Sequence, residues 1–157
     1  KVLSVLVDNT SGVLNRVAGL FSRRGYNIDS LTVGVTQDPR YSRMTIVVTG
    51  DDDIIEQIIK QIEKLVDVNK VEVLEDNNSV CRELILTKVK TTPEQRQQVM
   101  AVADIFRAKI VDVGIDSLII ELTGNQNKLD AFLNLLADYE ILELVRTGIT
   151  GLARGTK

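Results

Sequence analysis

Apolar residues along the chain recur at two spacings, every second residue and every third to fourth, and segments of the two kinds alternate. Residues 2–7 (VLSVLV) are apolar on both alternating sets, Val2 and Leu6 on one and Leu3, Val5 and Val7 on the other. A strand of that kind is buried on both faces. Residues 11–24 change to helical spacing, with Val13, Leu14, Val17, Ala18 and Phe21 on one face. Arg23 and Arg24 suit the last turn of that helix, and Gly25 suits the position just past its end. Two strands follow, 26–36 and 42–49, joined by a polar turn with Asp38 and Pro39. Asp51, Asp52 and Asp53 open a second helix. Its apolar face is Ile54, Ile55, Ile58, Ile59, Ile62, Leu65 and Val66, and a strand over 68–74 closes the unit.

The same order then repeats. The polar segment Glu75-Asp76-Asn77-Asn78-Ser79 marks a boundary between a first domain, 1–75, and a second, 80–157, that ends in a short tail. A strand covers 80–90. Thr92-Pro93-Glu94-Gln95 is a capping-box signature, and the helix it opens packs through Val99, Val102, Ala103 and Phe106. Strands at 109–113 and 117–123 turn at Gly114 to Asp116. Helix 126–137 packs through Leu129, Phe132, Leu133 and Leu136, and a last strand covers 140–146. Each half reads βαββαβ. Right-handed crossovers convert that order into a four-stranded antiparallel sheet with both helices on one face. The fold class is therefore α+β, two tandem ferredoxin-like domains. Such a sheet keeps a bare face and two open edges. Together with the doubly apolar first strand, this predicts self-association. The closing glycines Gly148, Gly151 and Gly155 do not follow the dinucleotide fingerprint and read as a loose tail.

Composition narrows the chemistry. The 157 residues are 44% hydrophobic and 26% charged, an ordinary globular balance. A net charge of −3 gives no electrostatic reason for nucleic acid or an anionic membrane as partner. Aromatics at 4%, without Trp, leave no stacking platform for single strands or RNA. No apolar run approaches a membrane span. Cys81 is the single cysteine, which excludes an internal disulfide and favours a reducing, cytoplasmic compartment. The chain has no histidine, which removes the commonest general base and metal ligand. No phosphate-binding GxxxxGK[ST] loop occurs, and a small enzyme of acylphosphatase type is not expected, because its arginine and phosphate-loop pattern has no match here. Cys81 reads as a small core residue, Asp51 to Asp53 as a helix start, and Arg23 with Arg24 as a solvated turn. No catalytic residue, no metal and no cofactor of its own is expected.

One segment suits a ligand, the first strand-to-helix turn Asp8-Asn9-Thr10-Ser11-Gly12-Val13-Leu14. A helix N-terminus offers unpaired N–H groups to a carboxylate. Gly12 lets main chain approach a bound group, and Asn9 offers a donor and an acceptor. The same residue types also build ordinary turns and caps.

The stretch LSVLVDNTSGVLNRVAGLFSRRGYNIDSLTVGVTQDPRYSRMTIVVTGDD resembles the N-terminal ACT domain of the small, regulatory subunits of acetohydroxyacid synthase (acetolactate synthase). The pattern NxSGxLxRVxGLFSRRGYNIxSL, from Asn9 to Leu31, and SRMTI, from Ser42 to Ile46, carry the resemblance. KLVDVNKV, CRELILTKV, FRAKIVDV, KLDAFL and the closing TGITGLARG extend it over nearly the whole chain. The resemblance implies a non-catalytic subunit. Catalysis then resides in a separate, larger chain carrying thiamine diphosphate, magnesium and FAD. That chain condenses pyruvate with pyruvate or 2-oxobutyrate at the start of valine, leucine and isoleucine synthesis. The small subunit is expected to raise its activity and confer feedback inhibition by valine. It is further expected to form a homodimer through its ACT domains, with valine bound between them. Carried over by position, one chain contributes Asn9, Gly12, Val13 and Leu14, and its partner Asn27 and Ile28. An ACT-type sensor for a different biosynthetic enzyme is the alternative, which the match in the second domain disfavours.

Overall fold

The computed structural model describes residues 1–156. Its elements are β1 (Val2–Asp8), α1 (Val13–Arg24), β2 (Ile28–Val35), β3 (Tyr41–Val48), α2 (Asp52–Glu63), β4 (Val68–Leu74) and β5 (Ser79–Lys90). There follow α3 (Pro93–Ile105), β6 (Lys109–Val113), β7 (Ser117–Gly124), α4 (Gln126–Leu135), β8 (Glu140–Arg146) and β9 (Thr150–Ala153). The βαββαβ order thus occurs twice, with an added strand at the end. Contacts divide the chain into one unit of Lys1–Cys81 joined by the segment from Ile149 onward, and another of Arg82–Gly148. The polar segment after β4 forms a closed turn: Asn78 N–H donates to the Glu75 carbonyl (3.1 Å) and Glu75 N–H to Asn78 Oδ1 (3.0 Å). The division comes a few residues later, within β5.

In the first unit the sheet order is β2-β3-β1-β4, all neighbours antiparallel. Leu3, Val5 and Val7 of β1 face the helices together with Met44, Ile46 and Val48 of β3. Val13, Val17, Leu20 and Phe21 of α1 and Ile55, Ile58 and Ile62 of α2 complete that core. Each such side chain, fully buried, stabilises the unit by about 1.5–3 kcal/mol relative to exposure. α2 stops at Glu63, so Val66, placed on its apolar face by spacing, is in solvent instead, whereas Leu65 still packs on the core. Helical spacing continues through Val66, but the chain must leave the helix to enter β4.

The outer face of this sheet is not bare. Ser4 is buried there and accepts from Arg43 Nη1 (2.7 Å). The closing segment, expected to be loose, is a strand, β9, paired with β5. Just before it, Ile149 N–H donates to Ser30 Oγ (3.1 Å) and the Thr32 hydroxyl donates to the Ile149 carbonyl (3.4 Å). Gly151 is buried, and a Cβ there would stand 2.6 Å from Cys81 Sγ and 3.0 Å from Leu74 Cδ1. Only a residue without a side chain allows so close an approach, which sequence spacing cannot reveal.

The second unit has the matching order β6-β7-β5-β8. Its core joins Ile85 and Val89 of β5, Leu118, Ile120 and Leu122 of β7, Val99 and Ala103 of α3, and Leu129 and Phe132 of α4, with Leu136 beyond it. The capping box is formed: Thr92 Oγ1 accepts from Gln95 N–H (3.2 Å) and Gln95 Oε1 from Thr92 N–H (3.0 Å). Glu83 is buried and accepts from Arg146 Nη2 (2.7 Å) and Gly148 N–H (3.0 Å). The hydrogen bond to Glu83 holds the Arg146 guanidinium above its ordinary pKa.

Thr87 lies in this core at 0% exposure, opposite Ile120, and its hydroxyl has no hydrogen-bond partner. A buried unpaired hydroxyl costs about 1–3 kcal/mol. Thr87→Val removes that cost with nearly unchanged shape. It is expected to raise the unfolding free energy by ~1 kcal/mol, and the thermal midpoint with it, measured by calorimetry or circular dichroism.

Candidate functional site

The turn from β1 into α1 differs from the other three helix starts. Asp51, Thr92 and Asn125 each cap their helix with a side-chain oxygen that accepts from a backbone N–H. α1 starts from Gly12 with φ 85°, a left-handed conformation, and has no side-chain cap. Its first-turn N–H groups therefore have no capping oxygen, and the helix dipole adds partial positive charge at the same place. Left-handed φ favours glycine, and a Cβ at Gly12 would also lie 3.0 Å from Arg16 Nη1. Val13 turns into the core, whereas Leu14 remains 46% exposed beside the turn.

Three neighbouring segments hold this turn. Asn9 N–H donates to the Arg40 carbonyl (2.8 Å), and Asn9 Nδ2 to the Pro39 carbonyl (3.0 Å). Asn9 Oδ1 accepts from the Ser42 hydroxyl (3.1 Å). The Asn9 side chain thus ties the turn to the β2–β3 connection, with one N–H and one lone pair left over. Within that connection Arg40 donates to Asp38 from its side chain and its backbone, and these bonds hold the Asp38 carboxyl below its ordinary pKa. On the other side, Asp8 N–H donates to the Asp67 carbonyl (2.8 Å) and Arg16 Nε pairs with the Asp67 carboxylate. Reading the sequence passed over Arg16, Ser42 and Asp67. Arg16, four residues beyond Gly12, was legible as a cation on the same helical face. Ser42 and Asp67 come from distant segments and only folding brings them in.

Asn27 and Ile28 lie elsewhere. Gly25, at φ 70°, ends α1, with Tyr26 N–H bonded back to the Phe21 carbonyl (3.0 Å). Asn27 Nδ2 donates to Asp29 Oδ1 (3.2 Å), and the other oxygen of Asp29 accepts from the Thr49 hydroxyl. Ile28 packs against the core and pairs with Val48, at the end of β3 remote from Tyr41, the partner of Asp8. The two sets of residues therefore occupy opposite ends of α1. A helix of its twelve residues spans about 18 Å, longer than any amino acid. Within one chain the structure brings Asn9, Gly12, Val13 and Leu14 together and keeps Asn27 and Ile28 apart from them. β2, which carries Ile28, is an edge strand, with Val33 and Val35 exposed on it.

Among the described residues no group of three or more potential ligands gathers for a metal ion, and no helix is long and apolar enough to cross a membrane.

Residues 3–70 match the family described as the AHAS small subunit-like ACT domain, and residues 82–155 that described as the small subunit of acetolactate synthase. A probable acetolactate synthase small subunit of Archaeoglobus fulgidus is 53% identical over 155 residues, covering 99% of this chain and 97% of that one. The acetolactate synthase small subunit of Haemophilus influenzae is 48% identical over 158 residues, covering 100% and 97%. The crystal structure of the small subunit from Thermotoga maritima superposes with a TM-score of 0.90 at 46% identity, covering 99% of this chain and 98% of that one.

Asn9→Ala removes two side-chain bonds from the turn. The expected result is faster hydrogen exchange at the amides of residues 36–42 and a loss of ~1 kcal/mol in unfolding free energy. Unchanged exchange there indicates that Asn9 does not anchor the turn.

Proposed function

The chain belongs to the acetolactate synthase small-subunit family, and from that premise we propose that it raises the activity of the catalytic large subunit and makes that activity responsive to valine. The observation that carries this reading is the uncapped α1 start with its complement at the far end of the same domain. Two copies complete the site. Antiparallel pairing of β2 with the same strand of a second copy places the Ile28 end of one chain beside the Val35 end of the other. The Val35 end leads into the β2–β3 connection, which Asn9 ties to the Gly12 turn. The free edge of β2 and its exposed Val33 and Val35 suit that pairing.

In this arrangement the N–H groups after Gly12 receive the valine carboxylate. The remaining capacity of Asn9, and the Asn27 amide of the second copy, meet its polar atoms. Leu14 and Ile28 line a slot for the branched side chain. One methylene in such a slot discriminates by only about 1–3 kcal/mol, so leucine and isoleucine are weaker effectors rather than excluded ones. Regulation requires valine to bind one dimer geometry more tightly than another; equal affinity shifts nothing. Thiamine diphosphate, magnesium and FAD belong to the catalytic chain, and the regulatory chain acts on it from outside the chemistry.

Gly12→Asp sets a carboxylate and a strained φ at the turn. Valine binding by calorimetry is expected to vanish, and acetolactate formation in the mixture of both subunits is expected to stay at its uninhibited level with valine present. Normal binding by this variant rules out the assigned turn. Val33→Lys puts a charge on the β2 edge. It is expected to shift the chain toward monomer in sedimentation and to lose valine binding with it. A valine-binding monomer excludes the shared site.

A further inference from the structure

We infer that Arg16 selects the charge of the effector. Its guanidinium is folded back over the Gly12 turn, Asp67 holds it there, and it favours a ligand with a free carboxylate over the same ligand without one. The inference rests on valine binding at this turn, as proposed above, and adds to it a residue from inside the helix.

The local geometry explains why Arg16 reaches the turn. Side chains of a helix lean toward its N-terminus, so a residue one turn in covers the start. Arg16 N–H donates to the Gly12 carbonyl (3.0 Å). A Cβ at Gly12 would stand 3.0 Å from Arg16 Nη1 and 3.8 Å from its Cζ. The guanidinium thus takes the space beside Gly12 that a side chain there would need. Its Nε donates to Asp67 Oδ2 (2.5 Å). Asp67 is itself fixed at the entry to β4: its carbonyl accepts from Asp8 N–H (2.8 Å), and Asn69 Nδ2 donates to Asp8 Oδ1 (2.9 Å). The Asp67 side chain is 13% exposed and that of Arg16 48%, so the pair is closed on the aspartate side and open on the arginine side. Nη1, the guanidinium nitrogen over Gly12, makes no hydrogen bond among the described residues.

The second unit uses the same position differently. The main-chain links at the two first turns correspond: Asn9 N–H to the Arg40 carbonyl (2.8 Å) in one, Thr91 N–H to the Asp116 carbonyl (2.9 Å) in the other. Arg96 stands four residues after the Thr92 cap, as Arg16 does after Gly12. Arg96 Nη2 donates to the carbonyls of Gly114 and Ile115 (2.7 Å each), and its Nε is closed to solvent. Arg96 is committed to its own chain, whereas Arg16 keeps Nη1 for a further group.

Uncapped N–H groups accept a neutral carbonyl oxygen as well as a carboxylate. Asp8 and Asp67 add negative charge next to the turn, which opposes an anion. The guanidinium offsets that charge and offers a charge-assisted bond, roughly twice as strong as a neutral one. A half-exposed ion pair adds little stability, so loss of Arg16 is felt in binding more than in folding.

The test is calorimetric titration of the full chain with L-valine and with L-valinamide, which replaces the carboxylate by a neutral amide. The unsubstituted chain is expected to prefer valine by ~10-fold or more. Arg16→Gln is expected to weaken valine ~10-fold and valinamide little, so that the preference collapses. Arg16→Lys, which keeps the charge, is expected to retain the preference even where both ligands bind more weakly. Arg16→Met, which keeps the aliphatic stem, replaces Arg16→Gln if circular dichroism shows that the latter does not fold. An unchanged preference in the uncharged variant, or an equal loss for both ligands, overturns the assignment of Arg16 while leaving valine binding at the turn intact. An unsubstituted chain that binds neither ligand sinks the effector reading and the role of Arg16 together.

Discussion

The length of α1 sets the terms for the first unit. Gly12 starts the helix in a left-handed turn and Gly25 stops it in another. Between them Val13, Val17, Leu20 and Phe21 lock it onto the sheet. A packed helix does not shorten, because its hydrogen bonds and its buried face fail together. Whatever the Gly12 turn presents is therefore held far from whatever Asn27 and Ile28 present. A ligand of amino-acid size that uses both must draw them from two molecules. In the proposed dimer the binding site is shared between two copies, and the edge of β2 is the element that links ligand and assembly.

The Gly12 turn is tied on two sides. Asn9, Ser42, Arg16 and Asp67 connect the turn to β3 and to the entry of β4. The turn's main chain is thus preorganised, and little conformational freedom is lost when a group binds there. Ser30 and Thr32 of β2, two and four residues beyond Ile28, carry the segment that returns from Gly148. Gly151 lets that segment lie close against Leu74 and Cys81. The segment after Gly148 thus covers part of the outer sheet face, and β2 keeps a free edge.

The two units show how one plan takes different chemistry. Both link the first turn to the connection between the second and third strands through a backbone bond and place an arginine one turn into the first helix. Gly12 leaves its helix start without a cap, while Thr92 with Gln95 closes the other. That exchange changes what each turn presents: the first leaves main-chain N–H groups uncapped, and the second covers them with side chains. The fold is the shared frame, and the turns decide what it receives.

Period and punctuation in the sequence were enough to determine the two βαββαβ units, the helix faces and the Thr92 cap, because these depend on neighbours a few residues apart. They also pointed to the Gly12 turn, since a glycine before an apolar helical face is a local signal. They did not determine the roles of Ser42, Asp67 and Arg40 around that turn, the exposure of Val66, or the strand at Thr150–Ala153. Each of these depends on segments far apart in the chain, and only the tertiary structure decided them. It alone showed that Asn9 is engaged with Pro39 and Ser42, and that Asn27 and Ile28 stand a helix length away from Gly12. Spacing along a chain fixes which way a side chain faces within its own element; which distant groups it meets follows from how the elements pack.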